Sequence, residues 1–382
     1  MKMKISFLKV SFTIIFLCLW YYALFKTEDR VIYYMPKQYF HDLTQNKSSL
    51  KFINFTETKL KNCLISKEDL TIPTINLDIV EDLKEIELEN NNVGIGGHWA
   101  PSNCIPIQNV GIILPYRNRK HQFLILLRRL HPMLQRQKLN YTIFLINQVG
   151  ENDFNRGLIL NIGVTEALKA FNFDCIVFND VDLVPENDEN LYFCDNGVRQ
   201  ISAAIDDARY RVKFWNNVGG VMSISRDNYF RINGHPNVYW GWGGEDNDFC
   251  IRSILSDLKL SRPHLHIGRF KMAKHLRPFR LIEAFRLFMS FLNRWPNDGM
   301  NSLIQISSEV DMDQIFQVNK SLIKQTNKYI PFKSPYQILK VSKLKLYTNI
   351  SVRVKNLNYF HSKKWIFTWK SLSWFLTFYG WL

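Results

Sequence analysis

The sequence predicts an α/β fold, in which apolar strands alternate with helices along the chain. Strand-like apolar runs cover Val110 to Leu114, Tyr141 to Ile146 and Cys175 to Phe178. Helix-like stretches follow the first two runs, at His121 to Leu130 and Gly157 to Ala170. Because ligands of such sheets bind at the carboxyl ends of the strands, we expect the residues that follow each run to form the functional site.

Length and composition favour one catalytic domain with accessory segments. The chain has 382 residues, of which 46% are hydrophobic and 14% aromatic, and it can therefore bury a sizeable core. Its formal net charge of +15 suits an anionic substrate, a phospholipid surface, nucleic acid or a generally basic surface. No basic module with interleaved stacking aromatics is visible, which argues against nucleic acid as a partner.

The N-terminus predicts a membrane anchor. Residues 1–9 contain three lysines and precede an uncharged apolar run at residues 10–25, an arrangement that favours a cytoplasmic tail followed by a transmembrane signal anchor. A cleaved signal peptide is the alternative, but bulky Trp20 and Tyr21 stand where small residues mark a cleavage site. We then expect a stem at 26–62, a lumenal catalytic domain at 63–355 and an aromatic-rich tail at 356–382. The tail suits either an interfacial membrane helix or a segment that covers the core.

A lumenal location permits glycosylation and disulfides. Outside the anchor, which contains Cys18, five cysteines remain, and this odd count predicts one free thiol. Asn140 is the weakest glycosylation candidate, because it opens a strand-like run. The five Asn-x-Ser/Thr acceptors are Asn46, Asn54, Asn140, Asn319 and Asn349.

Two aspartates follow the third strand-like run. Asp180 and Asp182 are two positions apart, so a continuing strand would direct both carboxylates to one side. Such a pair can hold a divalent ion beside a diphosphate, although acidic residues at a strand end also form ordinary solvated turns.

A thioether and an imidazole lie three residues apart at Met272 and His275, on one face of a helical turn. Together with Asp182 they would give an oxygen, sulfur and nitrogen ligand set, which suits Mn²⁺ better than Ca²⁺ or Mg²⁺. A core methionine beside a surface histidine is the plain structural alternative.

The segment Trp240–Asp248 reads Trp-Gly-Trp-Gly-Gly-Glu-Asp-Asn-Asp. Its glycines allow unusual backbone conformations, its tryptophans offer flat faces to sugar rings, and its carboxylates could act as a general base. A purely structural turn rarely needs all three features, so this segment favours a sugar-binding or catalytic role.

These motifs resemble, in order and in register from about Cys63 to Val354, those of the β-1,4-galactosyltransferase family. The resemblance implies a GT-A fold, a type II Golgi membrane topology and a flexible lid over the donor. It also implies a Mn²⁺-dependent inverting transfer from UDP-galactose to a glycan acceptor on a glycoprotein or glycolipid. The matching segments are Gly96–Pro101, Phe154–Arg156, Phe178–Pro185, Trp240–Asp246, Met272 with His275, and Asp298–Leu303.

Carried over by position, the resemblance assigns the metal to Asp182, Met272 and His275, and the base to Asp246 beside Glu245. It pairs Cys63 with Cys104 and Cys175 with Cys194, which leaves Cys250 free. The residues implied at the donor are Pro115, Arg117, Arg119, Phe154, Arg156, Asp180, Val181, Asn217 and Trp242, the last as the lid residue. Those implied at the acceptor are Gly243, Gly244, Glu245, Asp246 and Asn247.

The chain departs from the family pattern in three places. Asn247 replaces an aspartate, and an amide cannot serve as a base. Asn217 stands where galactose-specific members have tyrosine, so the smaller side chain predicts that UDP-N-acetylgalactosamine is accepted alongside or instead of UDP-galactose. The stretch from Leu276 to Trp295 is rich in Phe and Arg and leaves the acceptor open: N-acetylglucosamine is the family default, and glucose, xylose or a glycolipid sugar are the alternatives. A catalytically silent sugar-binding relative is the alternative function.

Overall fold

The structure is a computed structural model that describes residues 60–212, 218–273, 287–288, 290–303 and 336–354. The predicted tail, anchor and most of the stem at residues 1–59 lie outside these ranges, as do Asn217, His275 and the aromatic tail. None of the helices in the described ranges combines the length and apolar character needed to cross a bilayer.

The described chain folds into a mixed α/β structure, and the predicted alternation of strands and helices is confirmed. The α-helices are α1 (Leu83–Glu89), α2 (Lys120–Arg136), α3 (Arg156–Leu168), α4 (Arg226–Arg231), α5 (Glu245–Leu255) and α6 (Phe291–Arg294). The strands are β1 (His98–Trp99), β2 (Asn109–Tyr116), β3 (Asn140–Val149), β4 (Cys175–Asn179), β5 (Leu183–Pro185), β6 (Val198–Gln200), β7 (Ala204–Ile205), β8 (Val221–Ser225), β9 (Leu260–Ser261), β10 (Arg269–Met272), β11 (Tyr336–Lys343) and β12 (Thr348–Val354).

One large sheet organises the fold, with strands in the order β11-β12-β3-β2-β4-β8-β6-β9 and β1 paired to β3. Strands β12, β3, β2 and β4 run parallel, whereas β8 is antiparallel to β4. A smaller sheet joins β5, β10 and β7. Strands β2, β3 and β4 are almost continuously buried, as expected where helices cover both faces of a sheet.

Apolar layers fill both faces of the large sheet. Leu126 and Leu130 of α2 belong to the cluster on one face. Ile162 of α3 and Phe249 of α5 belong to the cluster on the other. Helices α2 and α3 follow β2 and β3, so each helix begins at the edge where its preceding strand ends. This connectivity carries the starts of both helices to the carboxyl edge of the sheet.

The structure contains both disulfides that the resemblance implies. Cys63 is bonded to Cys104 and Cys175 to Cys194, while Cys250 is free and buried. The second disulfide ties β4 to the segment before β6 and so braces the strand that leads into Asp180. Two of the predicted glycosylation acceptors are described, and both lie in strands, Asn140 in β3 and Asn349 in β12.

Gly157 provides a test of this packing. Replacing a glycine in a helix with alanine normally stabilises the helix by roughly 1 kcal/mol. Here, however, an added Cβ would lie 2.2 Å from the carbonyl oxygen of Pro236. We therefore expect Gly157→Ala to lower the free energy of unfolding by about 1–3 kcal/mol, measured by denaturant titration.

Thr165→Ala in the same helix is the matched control, because the Thr165 side chain is only half-buried and bonds its own helix. It should change stability by less than roughly 0.5 kcal/mol. A stabilising Gly157→Ala would contradict the close approach of α3 to Pro236.

Candidate active site

The carboxyl edge of the parallel strands gathers three polar loops. Residue pairs Pro115↔Ile146 and Ile113↔Phe178 place the ends of β2, β3 and β4 side by side. Residues 117–119, 150–155 and 180–182 follow these strands directly. The expectation that these motifs share one edge is therefore confirmed.

Asp180 and Asp182 lie in a turn rather than on a continuing strand. β4 ends at Asn179, and the Leu183 amide donates to the Asp180 carbonyl at 3.0 Å, which reverses the chain before β5 begins. The argument from strand periodicity is thus wrong, because the hydrogen-bonded turn replaces the extended backbone that it assumed. The charge of Asp182 nevertheless contributes to raising the pKa of Asp180. Val181, between them, is buried.

Asp182 lies beside Met272, although ninety positions separate them in the chain. Leu183 pairs with Met272 in the antiparallel β5–β10 ladder, and the Ala273 amide donates to the Asp182 carbonyl at 2.8 Å. Asp182 is 9% exposed and Met272 is partly buried. His275 lies outside the described residues, three positions after Met272. The backbones of two of the three predicted metal ligands therefore lie side by side, where β5 begins and β10 ends.

Sequence reasoning missed Asp206, whose carboxylate accepts from the Met272 amide at 2.9 Å. A cavity of about 660 Å³ adjoins Met272 and Ala273 and is also lined by Asp206 and by His121 at the start of α2. Its volume falls within the range of small-molecule sites. No local signal marks Asp206, because one of two adjacent aspartates in a polar stretch resembles an ordinary turn.

Arg156 is the electrostatic centre of the site. Its Nε donates to Asp180 at 2.7 Å, its Nη1 donates to Asp246 at 2.8 Å, and Glu245 lies 3.8 Å from the same Nη1. The guanidinium is buried at the start of α3, where the Asn155 side chain caps the helix by accepting from the Leu158 amide. Arg156 thus joins the ends of β4, α3 and α5.

Burial and neighbouring charges shift the pKa values of Asp180, Glu245 and Arg156. Burial, supported by the charges of Asp182 and Asp246 and opposed by Arg156, raises the pKa of Asp180 to about 6. Burial and the charge of Asp246 raise the pKa of Glu245 to about 8. Burial would lower the pKa of Arg156, but the surrounding carboxylates outweigh it and raise that pKa above its ordinary value. Arg156 is therefore charged and Glu245 holds a proton near neutral pH.

The glycine-rich segment leads directly into α5, whose first turn contains the two acids that lie near Arg156. Gly241, Gly243 and Gly244 have φ values of 83°, 101° and 99°, which L side chains adopt only with strain. The Gly241 amide donates to the Phe154 carbonyl at 2.8 Å, so the segment rests on the loop after β3. Trp242 is 41% exposed. Gly244 precedes α5, which places Glu245 and Asp246 in its first turn, followed by the half-buried Asn247.

The predicted donor residues after β2 also lie at this edge. Pro115 is the penultimate residue of β2, and Arg119 precedes the first turn of α2. The Arg117 guanidinium donates to the Gly150 carbonyl at 2.8 Å and to the Asn152 carbonyl. Arg117 therefore braces the loop after β3, which contains Phe154. Asn217, the remaining donor candidate, is outside the described residues.

Two family profiles match the chain. The N-terminal region of glycosyl transferase group 7 matches residues 40–195, and the N-terminal domain of galactosyltransferase matches residues 199–276. Human β-1,4-galactosyltransferase 3 is 43% identical over 238 residues, which are 60% of this chain and 60% of the relative. Mouse β-1,4-galactosyltransferase 2 is 39% identical over 274 residues, which are 71% of this chain and 66% of the relative.

The chain belongs to the β-1,4-galactosyltransferase family. It spans about three fifths of the length of relatives such as human β-1,4-galactosyltransferase 3. A solved structure, the catalytic domain of Drosophila β-1,4-galactosyltransferase 7 in complex with xylobiose, is 22% identical with a TM-score of 0.46, and covers 66% of this chain and 97% of that one.

The raised pKa of Glu245 predicts how the stability of this family member depends on pH. The folded chain retains a proton at Glu245 up to about pH 8, whereas the unfolded chain releases it near the ordinary value of 4.5. Between these values the folded state binds more protons, so its stability decreases as the pH rises. We expect a slope of up to roughly 1 kcal/mol per pH unit in metal-free protein.

Glu245→Gln should flatten this slope, because an amide does not titrate. A smaller slope from Asp180, whose pKa is raised to about 6, should remain below neutral pH. Denaturant unfolding at several pH values in the presence of a chelator provides the measurement. Equal slopes in the wild type and the variant would show that Glu245 titrates normally.

Proposed function

We propose that this chain is a Mn²⁺-dependent inverting glycosyltransferase that moves galactose or N-acetylgalactosamine from a UDP donor to a terminal sugar. The observation that carries the proposal is the convergence at one sheet edge of Asp182 with Met272 and of Arg156 with Asp180 and Asp246. Ligands of α/β sheets bind at such an edge. The family resemblance and the GT-A fold that it implies support the same reaction.

The residues near Asp182 fit a borderline divalent ion. The backbone of Asp182 lies beside that of Met272, and a carboxylate with a thioether would provide mixed oxygen and sulfur ligands, which favour Mn²⁺ over Ca²⁺ or Mg²⁺. In the described residues, no group of three His, Cys, Asp or Glu side chains could hold a metal, so the proposed set depends on Met272 and on His275. When bound, the ion would supply Lewis-acid stabilisation of charge on the departing diphosphate.

Asp246 is the proposed general base. Its carboxylate accepts from Nη1 of Arg156 at 2.8 Å, and it would take the proton from the acceptor hydroxyl. The deprotonated oxygen then attacks the anomeric carbon on the face opposite the nucleotide, the carbon–oxygen bond to UDP breaks, and the configuration inverts. Glu245, protonated near neutral pH, would donate a hydrogen bond to a sugar oxygen in the same site.

Trp242 is the proposed lid residue. Its exposed indole is flanked by Gly241 and Gly243, whose backbone conformations permit a large change of direction. Moving the indole over the donor would exclude water and favour transfer over hydrolysis.

A Golgi membrane location with a lumenal catalytic domain completes the proposal. The uncharged run at 10–25 supports the anchor, and the two disulfides are typical of an oxidising compartment. The proposed acceptor is N-acetylglucosamine on a glycoprotein or glycolipid. A catalytically silent sugar-binding relative is the second candidate, favoured by Asn247 in place of an acid.

Two substitutions test the proposed metal ligand and the proposed base. We expect Asp182→Ala and Asp246→Asn each to reduce Mn²⁺-dependent transfer by at least about 100-fold, the first by losing a metal ligand and the second by losing the base. Release of UDP from UDP-galactose with N-acetylglucosamine is the measurement. Asp207→Ala and Asp257→Asn are matched controls at exposed positions and should retain activity. A wild-type chain that binds sugars but releases no UDP with any acceptor would establish the sugar-binding alternative.

A separate experiment tests which UDP-sugar the chain accepts as donor. Because Asn217 replaces a tyrosine, we expect measurable initial rates with UDP-N-acetylgalactosamine. Asn217→Tyr should lower that rate by about tenfold while sparing UDP-galactose, since a bulky side chain obstructs the N-acetyl group. Strict preference of the wild type for UDP-galactose would refute the assignment.

A further inference from the structure

Five polar side chains form a buried cluster next to the proposed acceptor site. Tyr239, Asp248, Arg252, Arg294 and Asp298 are all at most 3% exposed. Two arginines balance two aspartates, so the cluster is electrically compensated. We call this group the buried clamp.

Asp248 is the centre of the clamp. Its Oδ1 accepts from Nε of Arg252 at 2.7 Å, and its Oδ2 accepts from Nη2 of Arg294 at 2.7 Å and from the Tyr239 hydroxyl at 3.1 Å. Burial opposes ionisation, but the two arginines outweigh it and hold the pKa of Asp248 below its ordinary value. Asp248 is therefore a fully bonded carboxylate, facing the interior and not a substrate.

Arg294 connects Asp248 to residues 287–298, which are far from it in the chain. It also donates to Asp298, to the Leu287 carbonyl at 2.8 Å and to the Ser290 hydroxyl at 3.0 Å. Asp298 in turn accepts from the Asn237 amide at 2.7 Å. Arg294 comes from the Phe- and Arg-rich stretch, and its guanidinium is committed to carboxylates of this chain. It is thus unavailable to an anionic acceptor.

The clamp connects the two ends of the glycine-rich segment. Tyr239 immediately precedes Trp240, and Asp248 lies in the first turn of α5, so their hydrogen bond joins the two ends of residues 239–248. The three glycines with positive φ all lie between these ends. Backbone rotation at the glycines can therefore move Trp242 while Glu245 and Asp246 stay with α5.

We propose that the buried clamp positions the first turn of α5, and that Tyr239 and Arg294 are positioning residues for Glu245 and Asp246. The role in catalysis rests on the proposed function. Buried ion pairs add little net stability compared with apolar residues of the same size, and positional specificity is one reason to retain them. Here the specificity is the placement of Asp246 against Arg156 while the neighbouring segment moves.

Tyr239→Phe tests the clamp with little change in shape, because it removes only the hydroxyl, which donates to Asp248 and accepts from Nη2 of Arg294 at 3.2 Å. Tyr141→Phe is the matched control, since Tyr141 is equally buried and its hydroxyl lies 2.8 Å from Nδ1 of His131, outside the proposed site. In the full chain, two quantities are measured. One is the ratio of transfer to N-acetylglucosamine over hydrolysis of UDP-galactose, and the other is hydrogen exchange of the amides at residues 245–249.

Only Tyr239→Phe should lower the transfer-to-hydrolysis ratio, by at least roughly tenfold, because each hydrogen bond to a charged group typically contributes about that factor and the hydroxyl bonds both Asp248 and Arg294. The same variant should accelerate amide exchange at residues 245–249, and Tyr141→Phe should alter neither quantity there. A merely structural hydroxyl would change the amount of folded enzyme but not this ratio. Unchanged ratio and exchange in Tyr239→Phe would overturn the proposal.

The two proposals can fail separately. If the wild type releases no UDP, the proposed function is refuted, and the exchange measurement alone decides whether the clamp holds α5. If Tyr239→Phe does not fold, Arg294→Lys replaces it, because lysine retains the charge but cannot bridge both aspartates as the guanidinium does.

Discussion

One guanidinium holds the candidate active site together. Arg156 bonds Asp180 and Asp246 and lies near Glu245, and these carboxylates come from the end of β4 and the start of α5. Without a buried cation between them, mutual repulsion and burial would separate the two elements or protonate the acids. Asp180 is a proposed donor residue and Asp246 a proposed acceptor residue, so a single side chain, that of Arg156, contacts both parts of the proposed site.

Rigid and adjustable parts alternate around this contact. Strand pairing fixes Asp182 beside Met272, and the buried clamp fixes Asp248 and therefore the start of α5. Between these fixed parts lies a segment with three glycines in conformations that few other residues tolerate. Such a division suits a reaction that needs an exact arrangement of acids and also a gate that admits a large substrate.

Local patterns predicted much of the fold. Continuous apolar runs indicated β2, β3 and β4 because parallel strands are covered on both faces. The same reasoning failed at Asp180 and Asp182, where a hydrogen-bonded turn follows Asn179 and period-two alternation no longer applies. It also missed Asp206 and the partners of Asp248, since a carboxylate that bonds a distant amide or arginine has the same local sequence as a solvated one.

The sequence by itself determined the alternation of strands and helices, the odd cysteine count and the order of the family motifs, because each depends on neighbouring residues or on spacing along the chain. Only the tertiary structure decided that Leu183 pairs with Met272, that Arg156 faces three carboxylates and that Arg294 turns inward to Asp248. Strand register and burial set those contacts. They arise from the packing of residues far apart in the chain, which no local pattern encodes.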